Sequence, residues 1–144
     1  MNQYIYSGGC HCGNIALRFY STLPCIDMET RACDCDFCRK YGAAYVSDPN
    51  GSLEAKIKNQ DKILCYTQGS GVAKFVICGL CGVLTVVKYS SGDSIYAAIN
   101  ARTLDDFFSF KDSVTVSPRT LSKEDKQSRW SKIWISDVTI EEVV

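Results

Sequence analysis

The 144-residue chain balances sixteen acidic against sixteen basic side chains, so no global field draws it to nucleic acid or to an anionic membrane. With 46% apolar and 22% charged residues, it has a globular balance rather than a disordered or fibrous one. No apolar run approaches the roughly 18 residues of a membrane helix. The length suits a single domain, residues 1–144, able to bury a sizeable core. The opening MNQYIYSGGC has no basic segment followed by an apolar one, so no secretory signal is expected and a reducing cytoplasm is the expected location. Nine cysteines in that compartment point to metal ligation, with redox thiols second and disulfides last.

In chain order, residues 3–6 predict a short strand running into Ser7-Gly8-Gly9, and Cys10-His11-Cys12-Gly13 follows. In 14–20, Ile15, Leu17 and Phe19 alternate with Ala16, Arg18 and Tyr20, the period of a half-buried strand. Together these make a hairpin with a C-x-C at its tip. Residues 21–30, with Pro24, read as a connection. Cys33-Asp34-Cys35-Asp36-Phe37-Cys38 comes next, with a helical turn at 36–41 ended by Gly42. A strand at 43–46 leads into turn chemistry at Ser47-Asp48-Pro49-Asn50-Gly51. Strands are predicted at 53–57, 62–67, 72–77, 83–89 and 94–101, and Cys78-Gly79-Leu80-Cys81-Gly82 tips a second hairpin. After Arg102 the pattern weakens. Residues 104–110 are aromatic and predict packing over one end of a sheet, and Ser122 with Asp125 predicts a capped short helix to Gln127. Trp130 and Trp134 are expected to seal the core, or else to wall a substrate site. The chain is therefore expected to be mainly β with little helix.

Cys10, Cys12, Cys78 and Cys81 form a C-x-C plus C-x-x-C set with a glycine after each second cysteine, the pattern of a closed four-thiolate zinc site. Four thiolates leave no open position, so its expected role is structural. Cys33, Cys35 and Cys38 at C-x-C-x-x-C spacing supply three ligands and leave a tetrahedral ion one short. Two readings stay open: an exchangeable fourth position, or closure by Cys25, Cys65, Asp34 or Asp36. Cys25 and Cys65 otherwise read as small buried hydrophobes, and His11 as facing outward between two ligands. Zinc with an open position activates an incoming thiol, and Arg31, Arg39 and Lys40 lie near enough in sequence to attract an anionic one.

The ordered motifs Gly9-Cys10-His11-Cys12-Gly13, Cys33-x-Cys35-x-x-Cys38-Arg39-x-x-Gly42, Cys78-x-x-Cys81-Gly82 and Ile99-Asn100-x-Arg102-Thr103-Leu104-Asp105 resemble the glutathione-dependent formaldehyde-activating enzyme and centromere-protein-V family. The resemblance spans about residues 7–106. It implies a β-tent fold of antiparallel sheets with cysteine-tipped hairpins. It also implies structural zinc at Cys10, Cys12, Cys78 and Cys81, and catalytic-type zinc at Cys33, Cys35 and Cys38. The implied activity is carbon–sulfur lyase chemistry joining a small-molecule thiol, glutathione in the founding members, to formaldehyde or another small aldehyde. Asp36 stands where the family often has serine. Two competing expectations are a non-catalytic zinc-stabilised scaffold of the centromere-protein-V type and a methionine sulfoxide reductase using Cys25 or Cys65. The absence of a basic tail and the zero net charge weigh against nucleic acid as a partner.

Overall fold

The structure, a computed structural model, describes residues 3–143. In chain order it has β1 (Tyr4–Gly9), β2 (Ile15–Ser21), β3 (Glu29–Cys33), α1 (Asp36–Tyr41), β4 (Ala44–Val46), β5 (Ser52–Ile57) and β6 (Ile63–Tyr66). There follow β7 (Lys74–Cys78), β8 (Leu84–Ser91), β9 (Ser94–Asn100), β10 (Lys111–Val116), α2 (Lys123–Ile133) and β11 (Asp137–Glu142). Among the described residues the strands form a four-stranded sheet, β1-β2-β5-β11, and a seven-stranded sheet, β10-β3-β4-β9-β8-β7-β6. No described helix is long and apolar enough to cross a membrane.

The predicted alternation of β2 holds: Ile15, Leu17 and Phe19 are buried while Ala16 and Arg18 are exposed. Those side chains meet Val46, Val76, Val86 and Ile99 from the larger sheet in one core. The other face of the larger sheet carries Tyr45, Phe75, Ile77, Val87 and Ala98, packed with Trp134 in a second core. Consecutive residues such as Val86 and Val87 thus serve opposite cores, because successive side chains of a strand point to opposite faces. A sheet covered on both sides explains why 75–78 of β7 read as an unbroken apolar run and why β8 is buried from Leu84 to Val87 on both faces.

The chain differs from its sequence-based expectation in three respects. Each sheet is mixed rather than wholly antiparallel: β10 lies parallel to β3, and β11 parallel to β5. Both strands fall in the region of weak pattern. Residues 111–115 of β10 are all exposed, so backbone pairing with β3 places the strand and no apolar stripe announces it. The helix begun by Ser122, whose Oγ accepts the Asp125 N–H, runs on to Ile133 rather than stopping near Gln127. Its one apolar side is narrow, with Trp130 and Ile133 packed on the second core. Lastly, Cys65 is exposed, because β6 is an edge strand, while Cys25 is half-buried.

Candidate metal centres and the cavity above one of them

The two cysteine sets occupy opposite faces of the seven-stranded sheet: Cys10 and Cys78 belong to the first core, Cys35 and Cys38 to the second. The first set stands at the tips of the β1–β2 and β7–β8 hairpins. Gly9 makes that tip possible: at φ 149°, a Cβ there would lie 2.1 Å from the Ile15 carbonyl oxygen. The sulfurs of Cys10, Cys12, Cys78 and Cys81 all lie within 4.8 Å of one another. Cys10 to Cys12 is 3.8 Å and Cys12 to Cys78 is 3.6 Å. Tetrahedral zinc with sulfurs at about 2.3 Å requires sulfur–sulfur edges of about 3.8 Å. A disulfide would need about 2.05 Å, so the set has the spacing of a metal cage. Desolvation raises the Cys81 thiol, but the N–H groups of Cys12 and Val83 outweigh it and bring it down to about 6. His11 is exposed, as expected from its place between two cysteines of the set.

The second set is built by the junction of β3 and α1. Cys33 ends β3, Cys35 caps α1, and Cys38 lies one turn inside it. The Cys35 sulfur accepts the Cys38 N–H at 3.4 Å, so ligand and cap are one residue. Gly42, left-handed at φ 67°, ends the helix where expected. The three sulfurs lie within 4.8 Å of one another, and no fourth His, Cys, Asp or Glu joins them among the described residues. Asp34 is occupied by Ser117 and Arg119, and Asp36 reaches outward to Arg39 at 3.4 Å. Neither Cys25 nor Cys65 is part of the group.

The electrostatics of this trio favour a single thiolate. A hydrogen bond from Cys38 pulls the Cys33 thiol down to about 6, while that bond and burial push Cys38 up. Burial also raises Cys35. One negative charge is accommodated and further ionisation is opposed; a divalent cation reverses that balance by compensating all three thiolates. Two neighbours not found from sequence support the sulfurs. The buried Tyr45 hydroxyl lies 3.2 Å from the Cys38 sulfur, and the Gln68 side-chain amide is 3.8 Å from that of Cys35.

Cys33, Cys35 and Cys38 line a cavity of about 520 Å³, within the usual range for small-molecule sites. Phe75, Val87, Trp130 and Trp134 form much of its wall, so the tryptophans both seal the second core and face the cavity. The Trp130 and Trp134 rings stack at 4.5 Å. Of the bases noted in sequence, Arg31 lines this cavity; Arg39 and Lys40 do not, and both are exposed. Burial and the nearby Arg129 lower the Arg31 guanidinium to about 10. Arg119, Lys126 and Arg129 also line it and were not singled out, because their positions in a 3-10 turn and on α2 carry no local motif.

The family described as glutathione-dependent formaldehyde-activating enzyme matches residues 5–120. The chain belongs to that family. Its fold is similar to the crystal structure of a Rhodobacter sphaeroides protein determined as a structural genomics target. The identity is 26% and the TM-score 0.53, with 81% of this chain and 95% of the other covered. The mainly β architecture and the two cysteine clusters that could hold metal ions agree with membership of the formaldehyde-activating family.

Proposed function

We propose that this member of the family is a two-zinc enzyme of carbon–sulfur chemistry, acting as a single domain over residues 1–144. Cys10, Cys12, Cys78 and Cys81 would hold a structural zinc, and Cys33, Cys35 and Cys38 a catalytic-type zinc. The observation that carries the reading is the contrast between the two sets. The four-sulfur group is complete and away from the cavity, whereas the three-sulfur group is one ligand short at the cavity floor. A zinc ion held by three thiolates supplies Lewis acidity and a position at which an incoming thiol loses its proton.

The chain's own residues then have separate tasks. Tyr45 and the Cys38 N–H direct hydrogen bonds at the ligand sulfurs and fix their orientation. Phe75, Val87 and Trp134 keep the cavity floor apolar. A thiol adding to a small aldehyde forms one carbon–sulfur bond; the carbonyl oxygen takes the proton given up by the thiol, so no oxidant or reductant is needed. The family description names glutathione and formaldehyde; a thiol of this kind and a small aldehyde are the proposed reactants.

The test is zinc stoichiometry on anaerobically purified protein, for wild type and Cys35→Ser, with and without glutathione. Two zincs falling to one in the variant, with the labile ion perturbed by thiol, is the expected result. One zinc in both proteins, indifferent to thiol, would remove the catalytic reading and favour a zinc-stabilised scaffold.

A further inference from the structure

The cavity over the three sulfurs is lopsided in charge. Arg31, Arg119, Lys126 and Arg129 line it, and no aspartate or glutamate does. Arg119 has a partner in Asp34 at 3.2 Å. Among the described residues, no carboxylate lies within ion-pair distance of Arg31, Lys126 or Arg129. Arg31 is also held in place: its guanidinium donates to Ser47 Oγ at 2.7 Å, and Ser47 in turn donates to the Ile133 carbonyl at 2.6 Å. A largely enclosed guanidinium with only the more distant Glu29 to balance it is costly, and an oxyanion arriving from the cavity offsets that cost. The guanidinium fork suits a carboxylate or a phosphate. Trp130 and Phe75 offer apolar surface to the rest of the ligand.

We propose that the cavity selects an organic acid, an apolar-bodied small molecule carrying a carboxylate or similar oxyanion and no ammonium group, as the partner of the three-cysteine site. This rests on the cavity being the approach to that site. Apart from the three sulfurs, an ammonium would meet only cations there, because no carboxylate lines the cavity to receive it. Glutathione is a mixed case: its carboxylates are attracted and its ammonium is not. Removing that ammonium's charge by N-acylation should therefore tighten binding.

The chain's two tryptophans both line the cavity, so their fluorescence reports on it directly. The zinc-loaded full chain is titrated with phenylacetate, benzylamine, glutathione and N-acetylglutathione. Saturable quenching by phenylacetate, none by benzylamine, and tighter binding of the N-acetyl tripeptide than of glutathione is the expected pattern. Arg129→Ala, an exposed helical position, should weaken phenylacetate by about tenfold, the order of one charge-assisted hydrogen bond. Equal binding of phenylacetate and benzylamine, or of the two tripeptides, overturns the inference, as does an unchanged Arg129→Ala. Cobalt-substituted protein keeps the two levels apart. If thiols perturb its absorption without regard to their charge, acid selection fails and the thiol reading stands. If the fluorescence pattern appears but no thiol perturbs the cobalt, acid selection stands and the thiol reading fails.

Discussion

Replacing Tyr45 with phenylalanine removes one oxygen and leaves the ring. Tyr45 is buried, and its hydroxyl lies 3.2 Å from the Cys38 sulfur, which is itself only 2% exposed. Burial, and then the neighbouring Cys38, raises the phenol, so it keeps its proton and acts as the donor once that sulfur is ionised. A hydrogen bond to a charged group contributes about 1.5–3 kcal/mol, equivalent to about 10- to 150-fold in a binding constant. Loss of a partner that orients a metal ligand independently suggests about 10- to 100-fold. On the proposed two-zinc reading, the assay is zinc competition against a chromophoric chelator under anaerobic conditions, resolving the two ions. Tyr45→Phe should weaken the ion at Cys33, Cys35 and Cys38 by that factor and leave the four-cysteine ion unchanged. Thermal unfolding at saturating zinc should differ little, because the ring still fills its place. A change below twofold, or equal weakening of both ions, would refute the reasoning.

Asp48 is buried, accepts hydrogen bonds from Ser21 Oγ, Thr22 N, Thr22 Oγ1 and Asn50 N at 2.7–2.9 Å, and so ties the end of β2 to the turn after β4. Asp48→Asn puts an NH₂ against at least one backbone N–H in either orientation, and should cost about 2–3 kcal/mol in urea unfolding at pH 7. Burial raises this carboxyl, but the Thr22, Asn50 and Ser21 hydrogen bonds outweigh it and hold it below the usual range. Its contribution is therefore present above the unfolded value of about 4 and lost as pH falls through the folded one. The gap between wild type and variant should stay constant from pH 7 to 5 and narrow only below; narrowing between 7 and 5 would contradict the assignment. Gly9→Ala should cost about 3 kcal/mol or more, since its Cβ meets backbone. Gly13→Ala, with positive φ but open space around it, should cost only about 1–2 kcal/mol; equal losses in urea unfolding would show that the hairpin tip yields.

Both cysteine sets were legible because their information is local. Two hairpins and one helix cap place sulfurs at short spacing, and the glycines around them mark the turns. The same logic found Gly42 and the Ser122 cap. Tyr45 and Arg129 were not legible. Tyr45 sits in a three-residue strand, too short for alternation to assign its face, and its role depends on Cys38 approaching from α1. Arg129 reads as one charge on a polar helix until that helix is laid across the second core. β10 and β11 were missed because they are added in parallel at sheet edges, where pairing decides placement and burial contributes little.

The remaining question is why two metal-type clusters should share one sheet. Along β7, Phe75 and Ile77 face the cavity-side core while Val76 and Cys78 face the other. A strand slipped by one residue would exchange these faces and turn the cavity wall inward. Opposite Val76 and Ile77 the β8 partner skips Thr85, so the β7–β8 ladder changes register there, while β6 pairs β7 without a break. A zinc bridging Cys78 and Cys81 at its end to Cys10 and Cys12 in the β1–β2 turn would fix that register from outside the ladder. On the proposed reading, the closed site therefore keeps the wall of the open site in place from the opposite face. It would act on the chemistry by holding Phe75 and Val87 against the three sulfurs, although no residue of the four-sulfur group touches the cavity.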